Sequence, residues 1–507
     1  MTSRLRTTAF WVLLAVLVTA NAIVMLHSLL VLRFWEDEAF NLTVPRNLLA
    51  GWGYTSDGTL SGSTPTPFDP RISTGPVVLL PVAAVLATGL DPILGARLIP
   101  LAYWLLLLGG LAVLGRRLSG RFGALTAVTV PLAFDTAGGF SPIQGPADLL
   151  GEVAAAAWIV WGLVVLRRRP WLAGLFLGLA VQAKLIAVLA LPAFAVALFL
   201  LAPPAPFAAR AAATLRRGIL PLLLAAAPTL LMELAALLSL GPDGYVRHVR
   251  SLGHFVLSGG QQYAPTTIPE KLATLAEAWF VPWPFVLAAG VLGLTAVVAA
   301  ALAPALRAEG RIRGWPPHGP HLRALGIGSA LGLLTFVGWW AQASQLPLWV
   351  RHPAVGVFAF TPVLAAVVVR AATALWHRSA HGIPAAVRGA HVARRAGALL
   401  SLAMLLVVGA GGAIADTARA LSPPAAETLA QQRAAVVPVA AWVRDEGVLW
   451  IAAKPWGGPV SSIVLSGAHV GLFDAPAMRE TPTLGGAPCA KGSALVSARA
   501  IVVCPAG

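Results

Sequence analysis

The sequence predicts an all-α polytopic membrane protein of about 11 transmembrane helices, with interfacial helices in a long first outer loop and a small C-terminal α/β extracytoplasmic domain. Three observations carry that prediction. Of 507 residues, 58% are hydrophobic and 11% charged, with mean hydropathy +0.79, whereas a soluble chain is about 25% charged. Apolar runs long enough to approach or exceed a bilayer crossing recur as far as residue 415. Short arginine-rich loops separate them, so the net charge of +16 is spread along the chain. Orientation in a membrane accounts for such loops, and no nucleic-acid partner is expected.

The first run, residues 8–32, follows Arg4 and Arg6. It is longer than the roughly 7–15 residues of a signal-peptide core and lacks a clear small-x-small cleavage site, so it reads as a retained span with a cytoplasmic N-terminus. Further runs cover 75–90, 94–115, 122–137, 152–166, 171–202 (two short spans), 219–240, 281–305, 324–343, 353–375 and 397–415. Basic loops lie at 116–121, 167–170, 210–217, 307–323 and 376–395. All five fall inside only if 75–90, broken by Pro76 and Pro81, is a partial helix on the outer side. Residues 35–93 then form one outer loop. The expected division is 1–415 for the membrane domain and 416–507 for the outer domain, in a multi-pass protein of the plasma (inner) membrane.

The tail reads as an amphipathic helix near 425–445, followed by strand-like VLWIAA, SSIVLSG and ALVSARAIVVC. It holds the only two cysteines, Cys489 and Cys504. An oxidising outer location permits a disulfide between them, the alternative being two unpaired thiols.

Ionisable residues gather at the outer edge. FWEDEAF, residues 34–40, sets Glu36, Asp37 and Glu38 at the end of the first span and the start of a short amphipathic helix that Pro45 should end or kink. Successive helical positions diverge by about 100°, so the three carboxylates cannot face one cavity. Asp37 shares a face with Asn41. Asp148 and Glu152, four apart in GPADLLGE, also share a face. Lys184 marks a turn between two spans, Arg97 follows the partial helix, and Arg351 and His352 head a late span. Each has two open readings. The acids serve either as helix starts or as a site. The bases are interfacial anchors or contacts for an anion. YVRHVRSLGHF, 245–255, reads as a mobile outer loop. His248 and His254 are not at a zinc spacing. No Walker loop, GxGxxG strand–helix context or HExxH occurs.

With these residues in place the chain resembles GT-C membrane glycosyltransferases, in the protein mannosyltransferase and aminoarabinose-transferase-like branch. The resemblance lies in Asp37-Glu38 after the first span, the GWGYTSDG…FDPRISTGP loop, GARL, ADLLGE, GLFLGLAVQAKL and RHP, over most of residues 8–375. It implies transfer of a sugar from a polyprenyl-phosphate donor to a glycan, lipid or protein acceptor at the outer face. Asp37 is implied as the base or acceptor-orienting carboxylate, with Glu38 as its neighbour and Asp148 or Glu152 as the second acid. Arg351, Lys184, Arg97 and His352 are implied as phosphate contacts. A divalent metal bridging Asp37 and Asp148 or Glu152 stays open, because the family includes metal-independent members. One departure is marked: STGP, 73–76, stands where the aminoarabinose branch has Lys-Pro-Pro, and Arg71 is the nearest replacement cation. A transporter or lipid-linked sugar flippase is the competing reading, against which the chain lacks an internal repeat.

Overall fold

The computed structural model describes residues 3–62, 74–134, 143–258, 264–279, 319–378, 388–424, 426–454, 457–473, 475–485, 489, 492–498 and 501–506. The expected span 281–305, Arg71, most of the basic loop 307–323 and part of 376–395 lie outside these residues.

Helices dominate, and among the described residues six are long and apolar enough to cross a membrane. Four further apolar helices have 10–17 residues. The chain is a multi-pass membrane protein. The first helix, Ser3–Leu30, is the expected first span. Pro92–Ala133 is one continuous helix broken at Ser119 and Gly120, with Gly120 at φ +72°. That break lies in the basic loop RRLSGR, so the runs expected at 94–115 and 122–137 are the two arms of a hairpin. The arms meet where a Cβ on Gly115 would come within 2.4 Å of the Gly123 carbonyl oxygen. No other residue type fits that crossing without displacing backbone.

The apolar stretch 171–202 divides where expected. Pro170–Ala183 ends at Lys184, whose extended φ/ψ of −153° and 120° turns the chain into the 3₁₀ helix Leu185–Ala190 and the helix Leu191–Leu201. Pro76–Leu86 spans 11 residues, about 16 Å of helix against a hydrocarbon core of about 30 Å. It is a partial helix. Residues 241–258, expected as a mobile loop, are instead helical. Phe207–Ser258 reverses at Gly241, φ +69°, and resumes at Pro242, a residue well tolerated in the first turn of a helix.

The short helix after the first span runs Glu36–Leu49 and passes through Pro45, which neither ends nor visibly breaks it. Burial explains the persistence. Phe40, Asn41, Leu42, Thr43 and Val44 are all buried, so tertiary contacts on every side hold a turn that has lost one backbone hydrogen bond.

The last long helix, Arg388–Leu421, carries the expected boundary at 415/416 inside it. The C-terminal unit begins with Leu429–Asp445, opened by a capping box between Thr428 and Gln431. Among the described residues five strands follow: β1 Trp450–Ala453, β2 His469–Leu472, β3 Thr483–Gly485, β4 Val496–Ala498 and β5 Ile501–Cys504. Their order is β2-β1-β3-β5-β4; β1 is parallel to β2 and β3, and β5 is antiparallel to β3 and β4. SSIVLSG, expected as a strand, belongs instead to the helix Pro459–Ser466, started by Pro459 and stopped by Gly467 at φ +93°. Parallel β1 and β2 need a crossover, and this segment supplies it, overriding the strand propensity of Ile-Val. Cys489 and Cys504 form a disulfide with Cα atoms 5.4 Å apart.

This unit is fastened to the first loop. The backbone N–H of Phe34 donates to Gln432 Oε1 at 2.9 Å, and Gln432 Nε2 donates to the Phe34 carbonyl at 2.8 Å. Arg46 Nη2 donates to the carbonyl of Gly467 at 2.9 Å. Asp57, buried, accepts from Asn47 Nδ2 at 2.9 Å and from the Val470 N–H at 2.8 Å, and pairs with His469 Nδ1 at 3.1 Å.

Candidate active site

Each of the three consecutive carboxylates meets a different arginine, as their divergence around the helix requires. Glu36 pairs with Arg33 at 2.7 Å, Asp37 pairs with Arg351, and Glu38 pairs with Arg97 at 2.7 Å.

The Glu38–Arg97 pair is enclosed, with side chains 1% and 2% exposed. Arg97 Nε and Nη2 hold the two oxygens of Glu38 at 2.7 and 2.8 Å. Its Nη1 donates to the carbonyls of Ser28, Leu29 and Leu32, and Nη2 also donates to that of Arg33. Six acceptor oxygens thus engage the five donors of one guanidinium. Arg97 closes the C-terminus of the first helix and fixes the next helix against it, leaving no donor for a phosphate. The geometry does not support the ligand contact expected of it.

The Asp37–Arg351 pair differs. These side chains are 13% and 11% exposed. Arg351 lies over Trp349, 4.4 Å from its ring centroid, and 5.9 Å from that of Trp35. It is the first residue of the helix Arg351–Arg378, where a cation is disfavoured by the helix dipole and needs a carboxylate nearby. His352 stacks on Trp349 at 6.0 Å, and its Nε2 has no hydrogen-bond partner among the described residues. Arg351, Lys184 and Lys271 all lie within electrostatic reach of His352.

Lys184 pairs with the buried Glu152 at 3.1 Å. Two glycines make that contact reachable. A Cβ on Gly75 would fall 1.8 Å from the Gln182 carbonyl oxygen, and one on Gly151 would fall 2.1 Å from that of Ala183. The chain at STGP and the start of the Glu152 helix therefore press directly against the Lys184 turn. One Glu152 oxygen, Oε2, is buried with no hydrogen-bond partner among the described residues.

Asp148 sits in the loop before that helix. It accepts from Trp35 Nε1 at 2.8 Å and from the Gln144 N–H at 2.8 Å. Burial raises its carboxyl well above the ordinary carboxylate range, and the Glu38 charge adds to the shift. Asn41, expected beside Asp37, donates instead to Thr74 Oγ1 at 3.0 Å and the Leu149 carbonyl at 2.6 Å.

Asp37 with Arg351, and Glu152 with Lys184, are thus direct ion pairs, while Trp35 links Asp148 to the Asp37 helix. Trp35, Trp349 and Lys271 received no role from the sequence. Lys271 is fully buried, donating to the carbonyls of Trp340 at 2.6 Å and Ala343 at 2.5 Å. Its scarcity was a usable signal, since the chain has only four lysines. Among the described residues no three His, Cys, Asp or Glu side chains gather as a metal ligand set. Asp37, Glu38 and Glu152 each face a cation instead.

Stacked apolar helices, a partial helix beside the first loop and a C-terminal α/β unit fastened to that loop make up a polytopic membrane fold. The particular likeness is to ArnT from Cupriavidus metallidurans. The apo structure matches with TM-score 0.56, 11% identity and 98% of each chain covered. The structure bound to undecaprenyl phosphate matches with TM-score 0.53, 12% identity and the same coverage. At this identity the likeness establishes the fold. No protein-family model and no curated protein sequence matches the chain.

Proposed function

We propose that the chain is an integral-membrane glycosyltransferase that moves a sugar from a polyprenyl-phosphate donor to an acceptor at the outer face of the plasma (inner) membrane. Its N-terminus would be cytoplasmic and its C-terminal unit extracytoplasmic, with eleven spans if residues 281–305 cross the membrane as well. The observation that carries this reading is the partly open Asp37–Arg351 pair, with His352 next to Arg351 in the same helix and Lys184 within electrostatic reach of His352. A base and an anion-binding cation are presented together at one rim. The ArnT fold adds support, because that protein is known in complex with undecaprenyl phosphate.

In this reading the acceptor hydroxyl oxygen attacks the anomeric carbon and passes its proton to the Asp37 carboxylate. The anomeric C–O bond to phosphate breaks, and the electron pair leaves with polyprenyl phosphate. Arg351 exchanges Asp37 for the donor phosphate, which frees the carboxylate, and Lys184 adds positive charge where negative charge develops. Glu38, held by Arg97, positions the helix that carries Asp37. Asp148 or Glu152 orients the acceptor.

The test uses purified protein in liposomes supplied with a panel of labelled polyprenyl-phosphate sugars. Wild type should turn over at least one donor and Asp37→Asn should not, while both accumulate equally in the membrane. Equal turnover would remove Asp37 from the chemistry. No wild-type turnover with any donor and acceptor would move weight to lipid-linked sugar transport.

A further inference from the structure

A second charged site lies at the far end of the helix bundle. Arg117, Arg167, Arg168 and Arg370, with His321, line one cavity of about 240 Å³, several times the ~30 Å³ share of a water molecule in liquid. Two of its helices also carry the candidate active site, and they fix the separation. Arg97 to Arg117 and Arg351 to Arg370 each span about 30 Å at 1.5 Å per residue, one hydrocarbon thickness. The cavity is therefore distinct from the Asp37 rim and sits at the opposite membrane boundary.

Loop arginines that merely set orientation need not converge, whereas these do. Arg117 Nη1 donates to the Val164 carbonyl at 2.7 Å, and Arg370 Nη1 to the Leu118 carbonyl at 3.2 Å. Both acceptors belong to the last turns of helix arms, where carbonyls lack helical partners. Each guanidinium is thereby anchored by one nitrogen, with its other donors uncommitted among the described residues. No carboxylate among the described residues lines the cavity. Four cations around one space repel each other unless an anion joins them, and a fork of N–H groups fits phosphate oxygens.

We propose that this cavity binds the phosphate of an anionic phospholipid from the leaflet opposite the candidate active site. Its position at the ends of apolar helices favours a lipid headgroup, whose chains lie along the bundle while the phosphate enters among the arginines.

The test is native mass spectrometry of the purified full chain in detergent, offered phosphatidylglycerol, phosphatidylcholine or inorganic phosphate. Wild type should retain phosphatidylglycerol in preference to phosphatidylcholine. The double variant Arg167→Gln/Arg168→Gln should weaken that retention by roughly 30-fold. Arg117→Gln, a single change at an anchored position, should weaken it less. Thermal unfolding midpoints should match wild type for the exposed Arg167/Arg168 pair, separating loss of binding from loss of fold. Equal retention of both lipids by wild type, or unchanged phosphatidylglycerol retention in both variants, would overturn the proposal. Displacement of the lipid by millimolar inorganic phosphate would assign the cavity to a soluble anion and overturn the lipid as its occupant.

Discussion

Glu38 and Asp37 are neighbours on one helix, and each holds an arginine, yet the two pairs are built differently. Glu38 and Arg97 are closed off from solvent, bidentate and saturated by four further backbone carbonyls. Asp37 and Arg351 keep several-fold more exposure and lie between tryptophan faces. A pair whose hydrogen bonds are all satisfied can only hold structure. A pair at a rim can exchange partners when a ligand arrives. Burial and hydrogen-bond saturation, not residue type, separate the positioning arginine from the candidate binding arginine.

The widest break in that comparison should come from Asp37→Asn. Sugar transfer should fall by about 10²–10⁴-fold, the usual contribution of a positioned general base, with little change in thermal midpoint. Next is Arg97→Ala, which leaves Glu38 as an uncompensated buried charge. Stability should drop by about 3–5 kcal/mol, read as loss of folded protein in detergent or a lowered unfolding midpoint. A collapse of stability in Asp37→Asn with Arg97→Ala unaffected would invert the two assignments.

A control away from both pairs is Cys504→Ser. Opening the disulfide between Cys489 and Cys504, 15 residues apart, should cost about 3 kcal/mol, measurable as faster proteolysis of residues 428–507. Arg351→Gln should weaken donor binding by about 10–100-fold, the size of one hydrogen bond to a charged group. That loss should appear in the donor KM, since Asp37 itself remains.

The smallest effect concerns pH. Asp148 is held well above its ordinary range by burial and by Glu38. An acid raised in the folded state favours folding while protonated, and that contribution is lost as pH rises from the unfolded value, about 3.9, through the folded one. Asp148→Asn cannot titrate, so its stability relative to wild type should grow as pH rises. Thermal midpoints of both proteins across a pH series would check this, and parallel curves would contradict it.

Much of the membrane architecture was readable because a bilayer imposes length and apolarity directly on sequence. RRLSGR is a break between two helix arms, Lys184 a turn, and the run at 75–90 a short helix, as the charge, the isolated lysine and the two prolines suggested. The acids at 36–38, 148 and 152 were visible as charges in an apolar setting. Two local readings failed because packing overrode propensity. Pro45 stays inside a helix buried on all sides, and Ile463-Val464 become helical because parallel β1 and β2 need a crossover. The helix at 242–258 was missed because its charges resembled a loop.

By itself, then, the sequence determined that the chain lives in a bilayer, that helices break at RRLSGR and at Lys184, and that Glu36, Asp37 and Glu38 must point in different directions. A fixed rise and turn per residue make those properties local. Only the tertiary structure decided which arginine each carboxylate meets. Arg33 is near Glu36 in sequence, but Arg97 and Arg351 come from distant helices. Depth of burial and number of hydrogen bonds exist only once those helices pack, and they divide a structural clamp from a candidate site.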